Sequence, residues 1–205
     1  MFLSVITGDI IQSTKVNPKA WLPLLEESLS KYAINSKSWE IYRGDSFQLE
    51  VDLDNLFKAL FEIKSSIKTQ TILDVRMAVG VGERTHTGKS ITTSNGSAYV
   101  FSGVMFDGLK KQSLGIKTSW EDLDEQLNLI LNLAMLQVEK WNINLSTTVL
   151  FMLNNPTLTQ IEAATILRKN QAQLSRELKR AGYEEILKTI YYCTKILKER
   201  CLHLS

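Results

Sequence analysis

Hydrophobic and polar residues alternate along several short stretches in the N-terminal half of this chain, as they do in half-buried strands. Residues 39–42 and 47–51 alternate or nearly alternate, and the stretch 73–81 carries valines and a methionine at every second position. An apolar stretch that begins at Leu3 leads to a carboxylate at Asp9. These patterns predict four strands, the second and third of which form a hairpin that turns at Gly44-Asp45.

Helical spacing predicts two amphipathic helices between these strands. The first runs from Asn17, which can cap it, to about Ala33, and the second follows the hairpin. This order of elements is that of a split βαβ, ferredoxin-like sheet, in which the first and third strands are antiparallel neighbours. A further helix at residues 94–112 and a short strand at 114–119 complete a predicted domain of residues 1–119.

The C-terminal half is predicted to be an all-helical module of residues 120–205. A long helix at 121–141 and a shorter one at 146–153 precede Pro156, the clearest helix breaker in the chain. Two short helices at about 159–181 match the helix-turn-helix template. A last helix either packs within the module or forms a dimer seam. The predicted fold class is α+β.

Composition predicts a globular protein of the cytoplasm with no membrane partner. The chain has 205 residues, 44% of them hydrophobic, and no apolar run near the roughly 20 residues that a membrane span needs. Its two cysteines fit reduced thiols, and its two histidines, His86 and His203, form no zinc motif of recognised spacing. The net charge is +2, but residues 157–205 carry nine Lys and Arg against five Glu, so the basic charge is concentrated at the C-terminal end.

The first candidate site lies where the first strand ends. Because the first and third strands are predicted neighbours, Asp9 and Asp45 face each other at one edge of the sheet, and two facing carboxylates require a cation or a shared proton. With the backbone carbonyl of Ile10, they predict a Mg²⁺ site. The alternative is a pair of unrelated turn aspartates, since Gly-Asp is a common turn pair.

Small hydroxyl and basic residues surround this predicted metal site, and several stand near the N-terminus of the first helix, where a phosphate is favoured. The predicted nucleotide-binding and phosphate-binding residues are Ser13, Thr14, Lys15, Arg43 and Gly44. A second phosphate-loop candidate at residues 82–90 has five residues between its glycines where the P-loop has four, and a poor helix start follows it. A polar connection is therefore the favoured interpretation of that segment.

Three motifs of the N-terminal half resemble the metal-binding half of class III nucleotidyl cyclases. They are Gly8-Asp9-Ile10 followed by Ser13-Thr14, then Gly44-Asp45, and then residues 76–82. The chain as a whole resembles the SatD family of bacterial proteins, which join a cyclase-like N-terminal part to a helix-turn-helix. The resemblance implies a nucleotide and Mg²⁺ as ligands.

Departures from the cyclase pattern separate two interpretations of function. Val100 and Val104 stand where the cyclase helix supplies an Asn and an Arg, and Ile41 stands where cyclases have a base-selecting Lys. An Arg at a transferring phosphate is worth on the order of a thousandfold in rate. The favoured interpretation is therefore a DNA-binding regulator with a catalytically degenerate cyclase-like domain, and the alternative is a Mg²⁺-dependent nucleotidyl cyclase or nucleotide-linking enzyme.

The second candidate site is the helix pair at residues 159–181, whose outward residue types suit base edges and phosphates. The predicted contacts with duplex DNA are Arg168, Lys169, Gln171, Gln173, Ser175, Arg176 and Lys179. Arg168-Lys169 departs from the template, which has Gly and an apolar residue there. A helical hairpin that serves only packing is the alternative. If the pair binds DNA, we expect a homodimer on one operator.

Overall fold

The computed structural model describes residues 2–202, so His203 lies outside the described residues. The sheet of this part of the chain consists of β1 (Phe2–Ile11), β2 (Trp39–Tyr42), β3 (Ser46–Val51), β4 (Asp74–Glu83) and β5 (Leu114–Lys117). The strands lie in the order β2-β3-β1-β4-β5, and every pair is antiparallel except β4 and β5. The predicted antiparallel pairing of the first and third strands is confirmed.

The helices described for residues 2–202 number eight. They are α1 (Pro18–Tyr32), α2 (Leu56–Ile67), α3 (Ser97–Gly108), α4 (Glu121–Val138), α5 (Ile143–Asn154), α6 (Gln160–Ile166), α7 (Gln171–Ala181) and α8 (Tyr183–Leu202). Asn17 caps α1 as predicted, because its side chain accepts a hydrogen bond from the Lys19 N–H at 3.0 Å. A sheet accompanied by helices confirms the α+β class.

Two helix starts differ from the sequence prediction for local reasons. The helix predicted at residues 94–112 begins only at Ser97, because a single 3₁₀ turn, Ile91–Thr93, precedes it and Gly96 has a φ of 152°. A Cβ at Gly96 would lie 2.1 Å from the Glu83 carbonyl oxygen, so only glycine fits there. α5 begins earlier than predicted, since the Asn142 side chain accepts the Leu145 N–H at 3.0 Å and caps it.

The two faces of the sheet pack against different helices. Ile6 and Ile10 belong to the core that α1 and α2 form with the sheet, whereas Leu3 and Val5 pack against α3. Side chains alternate between the faces of a strand, so Asp9 lies on the same face as Leu3 and Val5. The first candidate site therefore opens on the face that α3 covers.

One hydrophobic core continues from the sheet into the C-terminal helices. α2 packs against α5 and α8 as well as against β4, and α4 packs against β5. Leu60 of α2, Val149 of α5 and Leu197 of α8 belong to the same buried cluster. The Lys31 ammonium group also donates a hydrogen bond to the Asn154 side chain. Residues 2–119 and the helices after them thus share their packing.

Candidate functional site

The ends of β1 and β3 bring the two candidate aspartates to one corner of the sheet. Asp9 pairs in register with Ser46, the residue that follows Asp45, and the Ile10 N–H donates a hydrogen bond to the Asp45 carbonyl oxygen at 3.1 Å. The Ser13 hydroxyl donates to the Asp45 carboxylate at 2.5 Å. Four residues that the sequence assigned to one site are therefore neighbours.

Asp9 is paired with an arginine to which the sequence pattern gave no role. Arg76 stands opposite Asp9 in the β1–β4 register and donates two hydrogen bonds to its carboxylate, Nε–Oδ1 at 3.0 Å and Nη2–Oδ2 at 2.5 Å. These bonds raise the pKa of Arg76 above its ordinary value, and its guanidinium lies 5.2 Å from the centre of the Phe106 ring. The sequence could have indicated this ion pair, because Arg76 lies in the predicted fourth strand, which is a possible neighbour of the first strand.

This arrangement does not fit a Mg²⁺ ion. Both carboxylate oxygens of Asp9 accept hydrogen bonds from Arg76, and one oxygen of Asp45 accepts the Ser13 hydroxyl. Mg²⁺ requires a near-octahedral shell of oxygens, whereas both oxygens of Asp9 are already bound by a cation. Within residues 2–202, no group of three or more His, Cys, Asp or Glu side chains is placed to hold a metal. Both oxygens of Asp9 and one oxygen of Asp45 are bound by groups of this chain.

The predicted phosphate-binding residues form the rim of the same corner. Ser13–Lys15 is a single 3₁₀ turn after β1, in which Ser13 is buried and Thr14 and Lys15 are exposed. Arg43 and Gly44 form the exposed tip of the β2–β3 hairpin, with left-handed φ angles of 53° and 91°. The bond between Ser13 and Asp45 ties the two loops together. Two exposed basic side chains, one from each loop, therefore flank the corner.

The positions that depart from the cyclase pattern carry no polar side chain. Val100 and Val104 lie on the outer side of α3, and each is 54% exposed. Ile41 is half-buried on β2 and packs against the main core. In the cyclase pattern, the positions of Val100 and Val104 supply an Asn and an Arg to the reacting phosphates, and that of Ile41 supplies a base-selecting Lys. These three apolar side chains cannot make those polar contacts.

A second polar network on the α3 face was missed by sequence reasoning. Glu50 is 2% exposed and accepts hydrogen bonds from the Ser38 hydroxyl at 2.8 Å, from Arg84 Nη1 at 3.1 Å and from the Tyr99 hydroxyl. Burial, and then the bond to Glu50, raise the pKa of Tyr99 to about 12. The only feature of the sequence that could have indicated this network is an acidic residue inside the third strand. The network joins β3, the end of β4 and α3.

The segment 82–90 is a connection rather than a phosphate loop followed by an α-helix. His86 pairs with Asn95 in an isolated bridge, and Ser90 caps the 3₁₀ turn that follows it. The Thr92 hydroxyl donates to the Glu40 carboxylate at 2.7 Å, which holds this turn against β2. The interpretation as a polar connection agrees with this geometry.

Both helices of the pair α6–α7 begin at a residue whose side chain caps the helix. Thr159 and Glu162 form a reciprocal capping box at the start of α6, and the Asn170 side chain accepts the Gln173 N–H at 2.7 Å at the start of α7. Ala163 of α6 is fully buried. Arg168 lies in the turn with a left-handed φ of 54°. The template has glycine at this position because glycine adopts that conformation without strain.

Lys169 and Gln173 point into the module, where they hold a buried acid. The Lys169 ammonium group donates to Glu177 Oε2 at 2.6 Å and to the Thr148 hydroxyl at 2.7 Å, and Gln173 Nε2 donates to Glu177 Oε1 at 3.0 Å. Burial alone would raise the pKa of Glu177, but these hydrogen bonds and that of Thr148 outweigh it and hold the pKa below its ordinary value. An ion pair thus replaces the apolar contact that the template has at Lys169.

The remaining predicted DNA contacts lie on the outside of the pair. Arg168, Gln171, Arg176 and Lys179 are exposed, and Ser175 is half-buried beside a groove between α5, α7 and α8. Within residues 2–202, the side chains of Arg168, Arg176 and Lys179 take part in no ion pair. These three cations are available to a ligand, while Lys169 is not.

The last helix packs against α4 and α7 of the module and against α2. Ile186 and Leu197 are buried in the main core, and Ile190 and Ile196 are partly buried against it. Both cysteines are buried in the same region, and burial raises the pKa of Cys193 to about 12 and that of Cys201 to about 11. Both thiols are therefore protonated at neutral pH, which makes them poor nucleophiles.

Comparisons of the sequence with known proteins do not assign it to a family. Neither the scan against protein-family models nor the search of curated proteins finds a match to the chain. Among residues 2–202, no helix has the length and apolar character needed to cross a bilayer.

Proposed function

We propose that this protein is a DNA-binding regulator of the SatD type, in which α6 and α7 bind duplex DNA and a cyclase-like domain binds a nucleotide without turning it over. The observation that carries the proposal is the division of charges on the helix pair. Lys169 is held inside by Glu177, whereas Arg168 and Arg176 are exposed on the outside. Exposed cations beside a capped, outward-facing helix are the groups that the phosphate backbone attracts.

The proposal gives each outer residue a role. Arg168 and Lys179 contact phosphates, and Gln171, Ser175 and Arg176 approach base edges in the major groove. Lys169 and Gln173 are left out of the DNA contacts, because their polar atoms serve the Glu177 cluster. They act instead by fixing the angle at which α7 is presented.

Fluorescence anisotropy with a DNA site selected from random duplexes tests this proposal. Arg176→Ala should weaken binding to the selected site by about 1–3 kcal/mol and binding to random DNA by less. Lys179→Ala should weaken binding to all sequences and reduce the slope of log K against log salt by about 1. Lys188→Ala, on the exposed surface of α8, is the matched control and should change neither. Binding that is insensitive to salt or to Arg176→Ala would leave the pair as a packing hairpin.

For the N-terminal domain, we infer a nucleotide site at the corner of the 3₁₀ turn and the hairpin. The strand order β2-β3-β1-β4 is that of a split βαβ sheet, which supports a ferredoxin-like, cyclase-like domain. Lys15 and Arg43 supply exposed positive charge at the rim, whereas Arg76 is paired with Asp9. With valines at positions 100 and 104, we expect slow cyclisation or none.

Thermal unfolding with ATP or GTP, with and without Mg²⁺, tests the nucleotide site. A ligand at 100 times its Kd stabilises the folded state by about 2.7 kcal/mol, and the shift should not require Mg²⁺. Lys15→Ala and Arg43→Ala should reduce it, whereas Lys37→Ala, at the opposite end of β2, should not. Robust Mg²⁺-dependent formation of a cyclic product that Asp9→Ala abolishes would instead support the second candidate, a nucleotidyl cyclase.

A further inference from the structure

Helix α4 is apolar on two opposite sides. Its inner side carries Leu123, Leu127, Leu131, Met135 and Val138, all of which are buried. Its outer side carries Leu129, Leu133 and Leu136, which are 62%, 60% and 61% exposed. The spacing of four and then three residues places these leucines in one row, as at the seam of a coiled coil. We call them the leucine row.

The two ends of the leucine row carry opposite charges. Glu121 and Glu125 lie exposed at the N-terminal end of α4, and Lys140 lies exposed just after the C-terminal end. Arg180, at the end of α7, lines a groove of about 550 Å³ that Leu133 also borders. Glu139 is also exposed beside Lys140 but accepts the Ser113 hydroxyl at 3.0 Å, and Glu185 shares the groove with Arg180. Along α4 itself, Glu125 therefore precedes the row and Lys140 follows it.

We propose that the leucine row is the contact between two copies of this chain, with the two α4 helices antiparallel. In that arrangement Leu129 lies opposite the partner's Leu136, Leu133 lies at the centre, and Glu125 lies opposite the partner's Lys140. The Glu125 end of each copy then meets the Lys140 end of the other. A parallel arrangement would place like charges opposite each other.

A twofold contact of this kind is self-complementary, because each residue pair occurs twice. α4 has 18 residues and is about 27 Å long. One helix pair of this length buries an area at the low end of specific interfaces, which predicts a weak dimer whose population depends on concentration. The inference rests on α4 and the charges at its ends, and it stands whether or not α7 binds DNA.

Sedimentation velocity of the full chain over a range of concentrations tests the contact. The wild-type protein should show a reversible monomer–dimer equilibrium, and Leu133→Glu should raise the dissociation constant at least about tenfold. Since Leu133 is exposed, the variant should keep the thermal unfolding midpoint of the wild type. The matched control is Tyr191→Glu, at a residue of α8 that is 71% exposed and lies outside the row.

The two variants distinguish the possible results. Loss of the dimer in Tyr191→Glu but not in Leu133→Glu would overturn the proposal and assign the contact to α8. A wild-type protein that is monomeric at all concentrations would overturn it as well, as would a dimer that both variants leave intact.

Charge reversal tests the direction of the helices. Glu125→Lys and Lys140→Glu should each weaken the dimer, because each places like charges opposite each other at both ends of the contact. The variant that carries both changes restores opposite charges and should recover the wild-type dissociation constant. A double variant that is weaker than either single variant would contradict the antiparallel arrangement.

Discussion

The corner of the sheet and the outer side of α7 both carry the polar residues that a binding site needs, but they differ in how those residues are paired. At the corner, Asp9 is bound by Arg76 and Asp45 by Ser13. On α7, Arg176 is exposed and belongs to none of the ion pairs described for residues 2–202. The arginine at the centre of the corner therefore serves cohesion, whereas the arginine on α7 is available for binding.

A sequence motif therefore indicates candidate binding residues, but the contacts made in the fold determine which of them are free to bind a ligand. The helix pair shows both outcomes within a few residues, because Lys169 is held by Glu177 and its neighbour Arg168 is exposed. An exposed cation retains its full attraction for a phosphate, whereas a paired cation must first lose its partner. Variants that remove one member of a pair test the distinction.

The largest effect is expected at the inner ion pair of the helical module. Lys169→Met leaves Glu177 and Thr148 without their cation and should lower the free energy of unfolding by about 2–3 kcal/mol. Lys169→Met combined with Glu177→Leu removes both charges and should recover most of the loss. Urea unfolding measures both variants. If Lys169→Met instead weakened only DNA binding and left stability unchanged, Lys169 would belong with the outer residues.

The pH dependence of the same cluster gives a second, smaller effect. Because the pKa of Glu177 is lower in the folded protein than its ordinary value of 4.5, its stabilising contribution is present above that value and is lost as pH falls through the folded pKa. The difference in unfolding free energy between the wild type and Glu177→Gln should therefore be constant at neutral pH and shrink in acid. Urea midpoints across a pH series measure it. A difference that grows in acid would contradict the assigned sign.

Removing Arg76 tests whether the corner excludes a metal through its own cation. Arg76→Met should lower stability by about 1 kcal/mol or less, because the ion pair is partly exposed. It frees both carboxylate oxygens of Asp9 from their guanidinium, so Mg²⁺ should stabilise the variant more than it stabilises the wild type. Thermal unfolding with and without Mg²⁺ measures the difference. The control is Arg76→Met with Asp9→Asn, which should lose the Mg²⁺ effect.

The smallest effect is expected at the turn of the helix pair. Arg168 holds a left-handed φ of 54°, which costs a non-glycine residue about 1 kcal/mol. Arg168→Gly should therefore raise stability by about 0.5–1 kcal/mol and, if Arg168 contacts a phosphate, weaken binding to all DNA sequences. A variant that is more stable in urea unfolding but binds DNA more weakly in titration would show that Arg168 strains the turn and contacts a phosphate. A loss of stability would show that Arg168 supports the turn.

The sequence predicts the elements that depend on neighbouring residues. The Asn17 cap, the hairpin turn at Gly44 and the pairing of the first and third strands all follow from local patterns or from the order of the elements. The partner of Asp9 does not, because Arg76 is brought to it by the register between β1 and β4. Lys169 rather than Arg168 faces inward because Thr148 of α5 and Glu177 of α7 bind it. Long-range packing, rather than local preference, decides these contacts.

The core that continues from the sheet into α5 and α8 has a consequence for the DNA that the protein would select. Since α5 packs against both α2 and α7, the orientation of α7 relative to the sheet and to α4 is fixed by close packing rather than by a flexible linker. In the proposed dimer, the distance between the two α7 helices is then a property of the fold. Operators should consist of two half-sites at a single spacing, near a whole number of DNA turns of about 10 base pairs. Inserting half a turn between the half-sites should place them on opposite sides of the duplex and abolish simultaneous binding.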